Sequence, residues 1–426
     1  MREDFLHFIW KHKKIPLTNL ISTNNEAIEI VQVGTHNHLA GPDFFNAQIR
    51  IGTQLWAGNV EIHIKASDWY VHNHELDANY DNVILHVVWE DDSNIFRKDN
   101  EPIPTLALKP YLSKDLVLSY EKLFSKSGKN FINCEKQIDD LDTFIFKNWL
   151  ERLYFERLEE KSVPILKLLQ DSNNNWEEVL FVMLLKNFGL KINGDAFLSL
   201  AQSIDFSTVR KIGANTLQLE SLLFGHAGLL EENSSDIYFN ELKKEYDYVK
   251  HKFQCREPSV LKPAFFKLRP PNFPTIRLSQ FSNLYANQHN LFSKLIDATS
   301  IEEMYTILGV DASAYWDVHY TFGKESKKSK KRLTKKFMDL LIINTVLPLK
   351  FCHAHHHGKS IDEVVVHVIS GIKKEENTII HKFDALKMRV SNAMESQSLL
   401  QLYNEYCSKN KCLQCVIGNS LLKGND

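Results

Sequence analysis

The sequence lacks the features that mark secreted and membrane proteins. Its first residues, MREDF, do not form the basic and then apolar pattern of a signal peptide. No stretch approaches the ~18 uninterrupted apolar residues that a membrane helix needs, and we interpret the apolar runs 179–185 and 340–349 as buried helix. We therefore expect a cytoplasmic protein without a membrane partner.

Cysteine is scarce, and neither sign of charge is in excess. The six cysteines are spread over 426 residues without a secretory signal, which argues against a disulfide framework. The formal net charge is −2, so a polyanionic partner would have to be met by a local patch. The length favours two or more domains, or one core with a large elaboration, and leaves the oligomeric state open.

Hydrophobic patterning divides the chain into a part rich in strands and a longer part rich in helices. A short amphipathic helix over 3–12 comes first, and helical periodicity dominates from residue 112 onward. A proline-rich bend at 269–274 is expected to be non-helical. We predict an α/β domain over 1–115, with a mixed central sheet flanked by helix, and a mainly α-helical region over 116–426. The strand patterns lie at 27–33, 44–51, 59–65, 83–89 and 103–108.

The stretch from Gly41 to Val88 holds the strongest functional signal. Asp43 follows a Gly-Pro turn at the head of an apolar run. Residues 59–65 alternate strictly, so the strand period of two places Glu61, His63 and Lys65 on one face. Six of the 18 histidines lie in this stretch or just before it, namely His36, His38, His63, His72, His74 and His86.

These residue types suit metal-assisted hydrolysis of a phosphodiester. Carboxylates such as Asp43 and Glu61 hold Mg²⁺ or Mn²⁺, and the ion polarises the phosphoryl group and generates hydroxide. A nearby His63 or Lys65 then orients water or offsets the charge that develops in the transition state. The alternative is an exposed strand face of alternating charge, because short motifs match by chance.

Pro42-Asp43, Glu61 within an apolar strand and a basic residue beyond it resemble the PD-(D/E)XK nuclease superfamily. The order of predicted elements is also similar to the core of that superfamily. The resemblance implies a nuclease-like fold and a metal-dependent phosphodiesterase acting on DNA or RNA. It assigns Asp43, Glu61, His63 and Lys65 to catalysis, with the two carboxylates as Mg²⁺ or Mn²⁺ ligands. Glu3 matches a glutamate that the first helix adds in some of these nucleases.

The sequence departs from the pattern of that superfamily in two places. His63 stands where the pattern has lysine, and the lysine comes two residues later as Lys65. The helix after the third strand is poorly signalled, because 67–81 is rich in Asp, Asn and His. Two alternatives therefore remain beside the enzyme: a catalytically silent nucleic-acid-binding module, and a metal-stabilised scaffold protein.

The chain as a whole also resembles a bacterial family, domain-of-unknown-function family 2851. This resemblance extends over nearly the full length and implies no activity. The matching words are GPDFFNAQI, GNVEIH, SDW, NVILHVV, RPPNFPTIR, SQSLLQLYNEYC and CLQCVIG.

Several histidines offer a second kind of metal site. His72, His74 and His86 could bind zinc, nickel or copper together with His63, because imidazole suits these ions. The alternative is a polar loop whose imidazoles form hydrogen bonds. The run His353–His357 precedes Gly358 and is interpreted as a solvated loop.

Three cysteines lie close together near the C-terminus. Cys407, Cys412 and Cys415 have a spacing typical of zinc or iron–sulfur ligands, which normally number four. Cys134 is the expected fourth ligand, with Cys352 or a histidine as alternatives. The arrangement also resembles the iron–sulfur staple of some PD-(D/E)XK nucleases, although there the distant cysteine precedes the nuclease core. Packed free thiols are the other interpretation.

Two basic regions are candidates for nucleic-acid contacts. Arg269 and Arg277 flank the proline-rich bend and are predicted to contact phosphates. Residues 324–336 carry eight Lys and Arg against Glu325 alone. We interpret this second region as a flexible, solvated loop, because most charge runs are solvated.

Overall fold

A computed structural model of the chain describes residues 1–125, 130–138, 141–255 and 259–422. The chain forms two compact units. Unit 1 contains Met1–Phe146 together with Tyr403–Asp426, and unit 2 contains Lys147–Leu402. The sequence placed a boundary after residue 115, whereas the compact units group 116–146 and the C-terminal segment with the strands.

Unit 1 is built on a mixed sheet, as the patterning predicted. Among the described residues seven strands pair in the order β1-β2-β4-β5-β6-β7, with β3 pairing to β4. The pairs β5–β6 and β6–β7 are parallel, and the other pairs are antiparallel. The strands are β1 (Leu20–Ile21), β2 (Ala27–Gln32), β3 (Thr35–His36), β4 (Phe44–Ile51), β5 (Gln54–Lys65), β6 (Val83–Glu90) and β7 (Thr105–Ala107).

Three helices accompany the sheet. The predicted amphipathic helix is α1 (Glu3–Lys11), which buries Phe5, Ile9 and Trp10. The connection from β5 to β6 holds a single turn of helix, α2 (Asp68–Val71), followed by two 3₁₀ turns. The weak helical signal at 67–81 therefore corresponds to short turns. The helix α3 (Lys114–Phe124) follows the edge strand β7.

The parallel pair β5–β6 is covered on both faces. Six consecutive residues of β6 are buried, from Val83 to Val88, as expected for a strand in a parallel sheet covered on both sides. Glu61, Ile62 and His63 of β5 are also consecutive buried residues. Ionisable side chains thus lie in a part of the sheet that is otherwise apolar.

The loop before β4 is fixed by one amide side chain. Asn37 Nδ2 donates to the carbonyl oxygens of Leu39, Ala40 and Pro42, at 3.1, 3.2 and 3.1 Å. The Asn37 backbone N–H also donates to the carbonyl of Asp43 at 2.7 Å. These bonds position Asp43 at the entry to β4.

Unit 2 is mainly helical and has one large apolar core. Its core includes Phe188, Phe224, Phe281 and Trp316, all fully buried. A two-stranded sheet joins β8 (His319–Thr321) to β9 (Lys324–Glu325). The helices that lie mainly in this unit are α4 (Thr143–Asp171), α5 (Trp176–Phe188), α6 (Leu190–Ser203), α7 (Phe206–Ile212), α8 (Thr216–His226), α9 (Ile237–Lys252), α10 (Pro274–Asn287), α11 (Leu291–Asp297), α12 (Ile301–Leu308), α13 (Lys335–Leu341), α14 (Leu347–His356), α15 (Asp362–Ser370), α16 (Thr378–Ala385) and α17 (Ala393–Gln401). The last helix of the chain, α18 (Val416–Leu421), belongs to unit 1.

The proline-rich bend is more helical than the sequence suggested. Pro270–Asn272 forms one 3₁₀ turn, and Pro274 is the first residue of α10. The prediction of a non-helical bend is wrong at its end. The first turn of a helix tolerates proline, because its missing N–H would have no intrahelical partner there.

The basic run at 324–336 is also more ordered than predicted. The side chain of Lys331 is buried, and its ammonium donates to the carbonyl of Asp317 and to both oxygens of Ser329. The neighbouring Lys330 forms a 2.8 Å ion pair with Asp317. The prediction of a flexible, solvated loop is therefore wrong for Lys331, since these acceptors compensate for its desolvation.

One helical stretch is long and apolar enough to cross a membrane by length and composition alone. It runs from Lys335 to His356 through α13, a π-helical turn at Ile342–Val346 and α14. Of its most apolar window, 72% is buried inside the protein. This is the behaviour of a core helix, as predicted for 340–349, and gives no strong evidence of a membrane partner.

We predict that Gly58→Ala destabilises the sheet. A Cβ at Gly58 would lie 2.4 Å from Ile84 Cγ2 and 2.7 Å from the Asn82 carbonyl oxygen, where β5 meets β6. Overpacking of this kind typically costs ~1–3 kcal/mol. Chemical denaturation followed by tryptophan fluorescence should show the loss.

The matched control is Gly52→Asn. Gly52 has a φ of +59°, and a Cβ at this position would meet no other atom within 4 Å. Asparagine tolerates this left-handed conformation, so we expect a change within ~0.5 kcal/mol. Equal denaturation midpoints for the two variants would contradict the close approach at Gly58.

Candidate functional site

Asp43 and Glu61 are held together by reciprocal hydrogen bonds. The Asp43 backbone N–H donates to Glu61 Oε2 at 3.1 Å. The backbone N–H of Ile62 donates to Asp43 Oδ2 at 2.9 Å. Each carboxylate thus accepts from the backbone beside the other. The structure brings these two predicted ligands to one place, at the start of β4 and the centre of β5.

The first helix adds two ionisable side chains. His7 Nε2 lies 3.2 Å from Asp43 Oδ2 and 3.9 Å from Glu3 Oε1. Burial opposes protonation of His7, but the hydrogen bond to Asp43 and the surrounding carboxylates raise its pKa above the ordinary value. Glu3, which the resemblance singled out, therefore belongs to this cluster.

No sequence pattern singled out His7 as a site residue. The signal that could have found it is the spacing of Glu3 and His7, because residues four apart lie on one helix face. That spacing indicates a functional site only when α1 is known to pack against Asp43.

The environment of Glu61 disfavours the ionised form of its side chain. Its side chain is 6% exposed. Burial raises its pKa well above the ordinary value, and the negative charges of Asp43 and Glu3 raise it further. A bound cation would reverse this effect, since it would supply the missing positive charge.

Four histidines surround the other side of Glu61. His63 Nε2 and His74 Nε2 lie 3.5 and 3.3 Å from Glu61 Oε1. His63 Nε2 is also 3.1 Å from His72 Nδ1, and His63 Nδ1 is 2.8 Å from His86 Nε2. The side-chain cluster formed by Glu3, His7, Asp43, Glu61, His63, His72, His74 and His86 is called the buried centre below.

The imidazoles in the sheet are neutral. Burial, and then the neighbouring His86, His74 and His72, lower the pKa of His63 to about 2. Burial also lowers the pKa of His86 to about 3, with a smaller contribution from His74. An unperturbed histidine has a pKa of ~6.5 and titrates close to neutral pH. The structure instead keeps His63 uncharged at every ordinary working pH.

Lys65 stands apart from the buried centre. It is the last residue of β5 and is exposed, whereas Glu61 and His63 are buried. The pKa of Asp92 is lowered by hydrogen bonds from Ser67 and, to a smaller degree, by the charge of Lys65. The ammonium is therefore close to Asp92 at the surface of unit 1.

The two predicted nucleic-acid contacts differ in accessibility. Arg269 is exposed, and a phosphate contact there stays a prediction. Arg277 is 6% exposed, and its guanidinium donates to Gln280 Oε1 and Asn272 Oδ1 at 2.8 and 2.5 Å. It also lies 3.6 Å from the ring centroid of Phe337. Arg277 is thus engaged inside unit 2, which gives its expected phosphate contact no support.

The four cysteines predicted to bind metal lie in one neighbourhood of unit 1. Asn133 Nδ2 donates to Cys412 Sγ at 3.4 Å, which places the adjacent Cys134 near the C-terminal segment. Burial raises the pKa of the Cys134 thiol to about 12, and Cys415 and Cys412 contribute to this increase. The pKa of Cys407 is raised by burial and then by the other three thiols. Protonated thiols are therefore favoured where no cation is bound.

The spacing of potential ligand atoms distinguishes the two candidate metal sites. Within the described part of the chain, His63, His72 and His74 form a group whose ligand nitrogens all lie within 4.8 Å of one another. The cysteines do not form such a group there. The three imidazole nitrogens are thus arranged more like the ligands of one bound ion than the four thiols are.

Unit 1 is accordingly a mixed α/β sheet domain with a buried carboxylate and imidazole cluster beside its parallel strands. The chain belongs to the family described as Protein of unknown function (DUF2851), whose model matches residues 3–378. This confirms the predicted family, and the match ends before Cys407. No curated protein and no solved structure matches the chain. The resemblance to the PD-(D/E)XK superfamily stays a prediction.

We predict that the cysteine cluster carries zinc or an iron–sulfur cluster in the protein purified without oxygen. Elemental analysis and the visible absorption spectrum should show the metal, and Cys412→Ser should lose it because one thiolate ligand is removed. Cys255→Ser is the control, since Cys255 lies in unit 2. Protein without zinc or iron, in which all four thiols react with an alkylating reagent, would contradict this prediction.

Proposed function

We propose that the chain is a divalent-metal-dependent phosphodiesterase that cleaves DNA or RNA, with its active site in the buried centre. The observation that carries the proposal is the interlocking of Asp43 and Glu61 through two backbone hydrogen bonds. Two carboxylates in one partly buried place provide the hard oxygen ligands that Mg²⁺ and Mn²⁺ prefer. The predicted resemblance to the PD-(D/E)XK superfamily supports the same function.

The side chains of the buried centre have separate roles in this proposal. A bound divalent ion would polarise the phosphoryl group and lower the pKa of a water molecule. Asp43 and Glu61 would hold the ion, and the His7 imidazole, whose Nε2 lies 3.2 Å from Asp43 Oδ2, would orient the Asp43 carboxylate. His63 is neutral, and it would orient the attacking water rather than take its proton, because a pKa of about 2 makes it a very weak base. The exposed Lys65 can contact the substrate backbone from the end of β5.

A catalytically silent nucleic-acid-binding module is the second candidate. The observation that favours it is His63, which stands where the resembling nucleases have lysine. Its pKa of about 2 means that it supplies no positive charge to the transition state. A metal-stabilised scaffold protein is the third possibility and requires neither cleavage nor binding of nucleic acid.

We predict cleavage of labelled DNA or RNA in Mg²⁺ or Mn²⁺ that Asp43→Ala reduces to the background without metal. His63→Ala should lower the rate by ~10²-fold, as expected when a reacting group is misplaced, and Lys65→Ala should lower it less. The assay uses single- and double-stranded substrates of both kinds. Asp99→Ala is the matched control, because Asp99 is an exposed aspartate in the connection between β6 and β7.

The outcomes separate the three candidates. Equal rates for the wild type and Asp43→Ala on every substrate would rule out the enzyme. Retained binding in a gel-shift assay would then support the silent module, and absence of both binding and cleavage would leave the scaffold.

A further inference from the structure

Three imidazoles meet beside Glu61, close to the carboxylate oxygen that does not accept from the Asp43 N–H. His63 comes from β5, His72 follows the last residue of α2, and His74 begins the next 3₁₀ turn. One nitrogen from each lies within 4.8 Å of the other two. Nitrogens that share an ion at ~2.0–2.1 Å are at most ~4.2 Å apart. Small side-chain movements are therefore enough to close the three around one ion.

Glu61 can add an oxygen ligand to this group. Its Oε1 lies 3.3 Å from His74 Nε2 and 3.5 Å from His63 Nε2. Its Oε2 instead accepts the hydrogen bond from the Asp43 N–H. The two oxygens of the Glu61 carboxylate thus contact different groups, the imidazoles at Oε1 and the Asp43 N–H at Oε2.

His86 fixes the orientation of the central imidazole. It is fully buried, and its Nε2 lies 2.8 Å from His63 Nδ1. When His63 Nδ1 carries the proton of this hydrogen bond, the lone pair of His63 Nε2 points toward His72. Metal-binding histidines commonly use the second ring nitrogen in this way.

His74 provides an independent indication of a ligand. Its side chain is about one-tenth exposed, and its Nε2 makes no hydrogen bond to any described residue. The ring is held by stacking on Tyr80, with centroids 3.8 Å apart. Glu61 Oε1 lies 3.3 Å from this nitrogen but without hydrogen-bond geometry. Buried imidazole nitrogens normally make a well-formed bond, and a metal ion would provide one.

The chemistry of the group selects the kind of ion. Neutral imidazole favours zinc, copper, nickel and iron, whereas Mg²⁺ favours oxygen ligands. Four protein ligands complete the tetrahedral shell that Zn²⁺ prefers, and three would leave one position open for water. The buried centre thus offers a nitrogen-rich side beside the oxygen-rich side of Asp43.

We propose that His63, His72 and His74, with Glu61 Oε1, bind a first-row transition-metal ion, with Zn²⁺ as the favoured ion. This proposal assigns a specific ion to the buried centre. It rests on the proposed function only for the role of that ion in catalysis. Binding itself is independent of any activity.

The test uses the full-length reduced protein after removal of metal with a chelator, and Zn²⁺ as the probe in calorimetric titrations. His72→Ala removes an exposed ligand, so the fold should be retained. Loss of a supporting group alone typically weakens metal binding by ~10–100-fold, and we expect at least that loss here. His357→Ala is the control, because His357 is an exposed histidine of the run His353–His357.

X-ray absorption at the zinc edge identifies the ligands directly. It is measured on Cys412→Ser, so that the thiol cluster does not dominate the signal. We expect nitrogen and oxygen neighbours at ~2.0–2.2 Å, and His72→Ala in the same background should lose part of the imidazole scattering. Sulfur neighbours at ~2.3 Å as the main shell would overturn the proposal, as would equal zinc affinity in His72→Ala and His357→Ala.

This inference and the proposed function can fail separately. Magnesium-dependent cleavage by a protein that does not bind zinc at the imidazoles would overturn only the inference. Zinc binding that His72→Ala weakens, without cleavage of any nucleic acid, would overturn only the proposed function.

Discussion

Burial of ionisable side chains between two parallel strands is the constraint on which the rest of unit 1 depends. β5 and β6 are covered on both faces, yet they carry Glu61, His63 and His86 in their buried parts. Desolvation disfavours the charged form of each group. It therefore raises the pKa of Glu61 and lowers those of the two histidines. A sheet stabilised by apolar packing alone would place aliphatic residues at these positions, and this cost is one argument for the metal binding that we propose.

The alternation of residues 59–65 was enough to predict β5 and to single out Glu61 and His63. The position of Asp43 followed from its turn and from the resemblance to known nucleases. His7 could not be predicted in the same way, because its role depends on a tertiary contact between α1 and β4. For Lys65, in contrast, the sequence pattern predicted a proximity that the structure does not show. The strand period placed it with Glu61, but the end of β5 is exposed and its charge is close to Asp92.

The basic residues of unit 2 show how far charge alone can mislead. Lys331 and Arg277 both belong to regions that the sequence predicted to be solvated or to contact phosphates. Both are buried, and each has polar acceptors within its own unit. Sequence patterns reveal charge but not the polar acceptors that surround it, which here include Gln280 and Asn272 for Arg277 and the Asp317 carbonyl for Lys331. The helices of unit 2 were predictable because their apolar periodicity is long and regular.

We propose that Glu61 is a metal ligand, and anomalous diffraction can show this in the crystal. Crystals of the full chain saturated with Mn²⁺ or Zn²⁺ should show an anomalous peak ~2.0–2.2 Å from a carboxylate oxygen of Glu61. Asp43 should share the ion on one side, or the imidazoles on the other. Ordered density for Glu61 without an anomalous peak in reach of either oxygen, in crystals that bind the same metal elsewhere, would contradict the account.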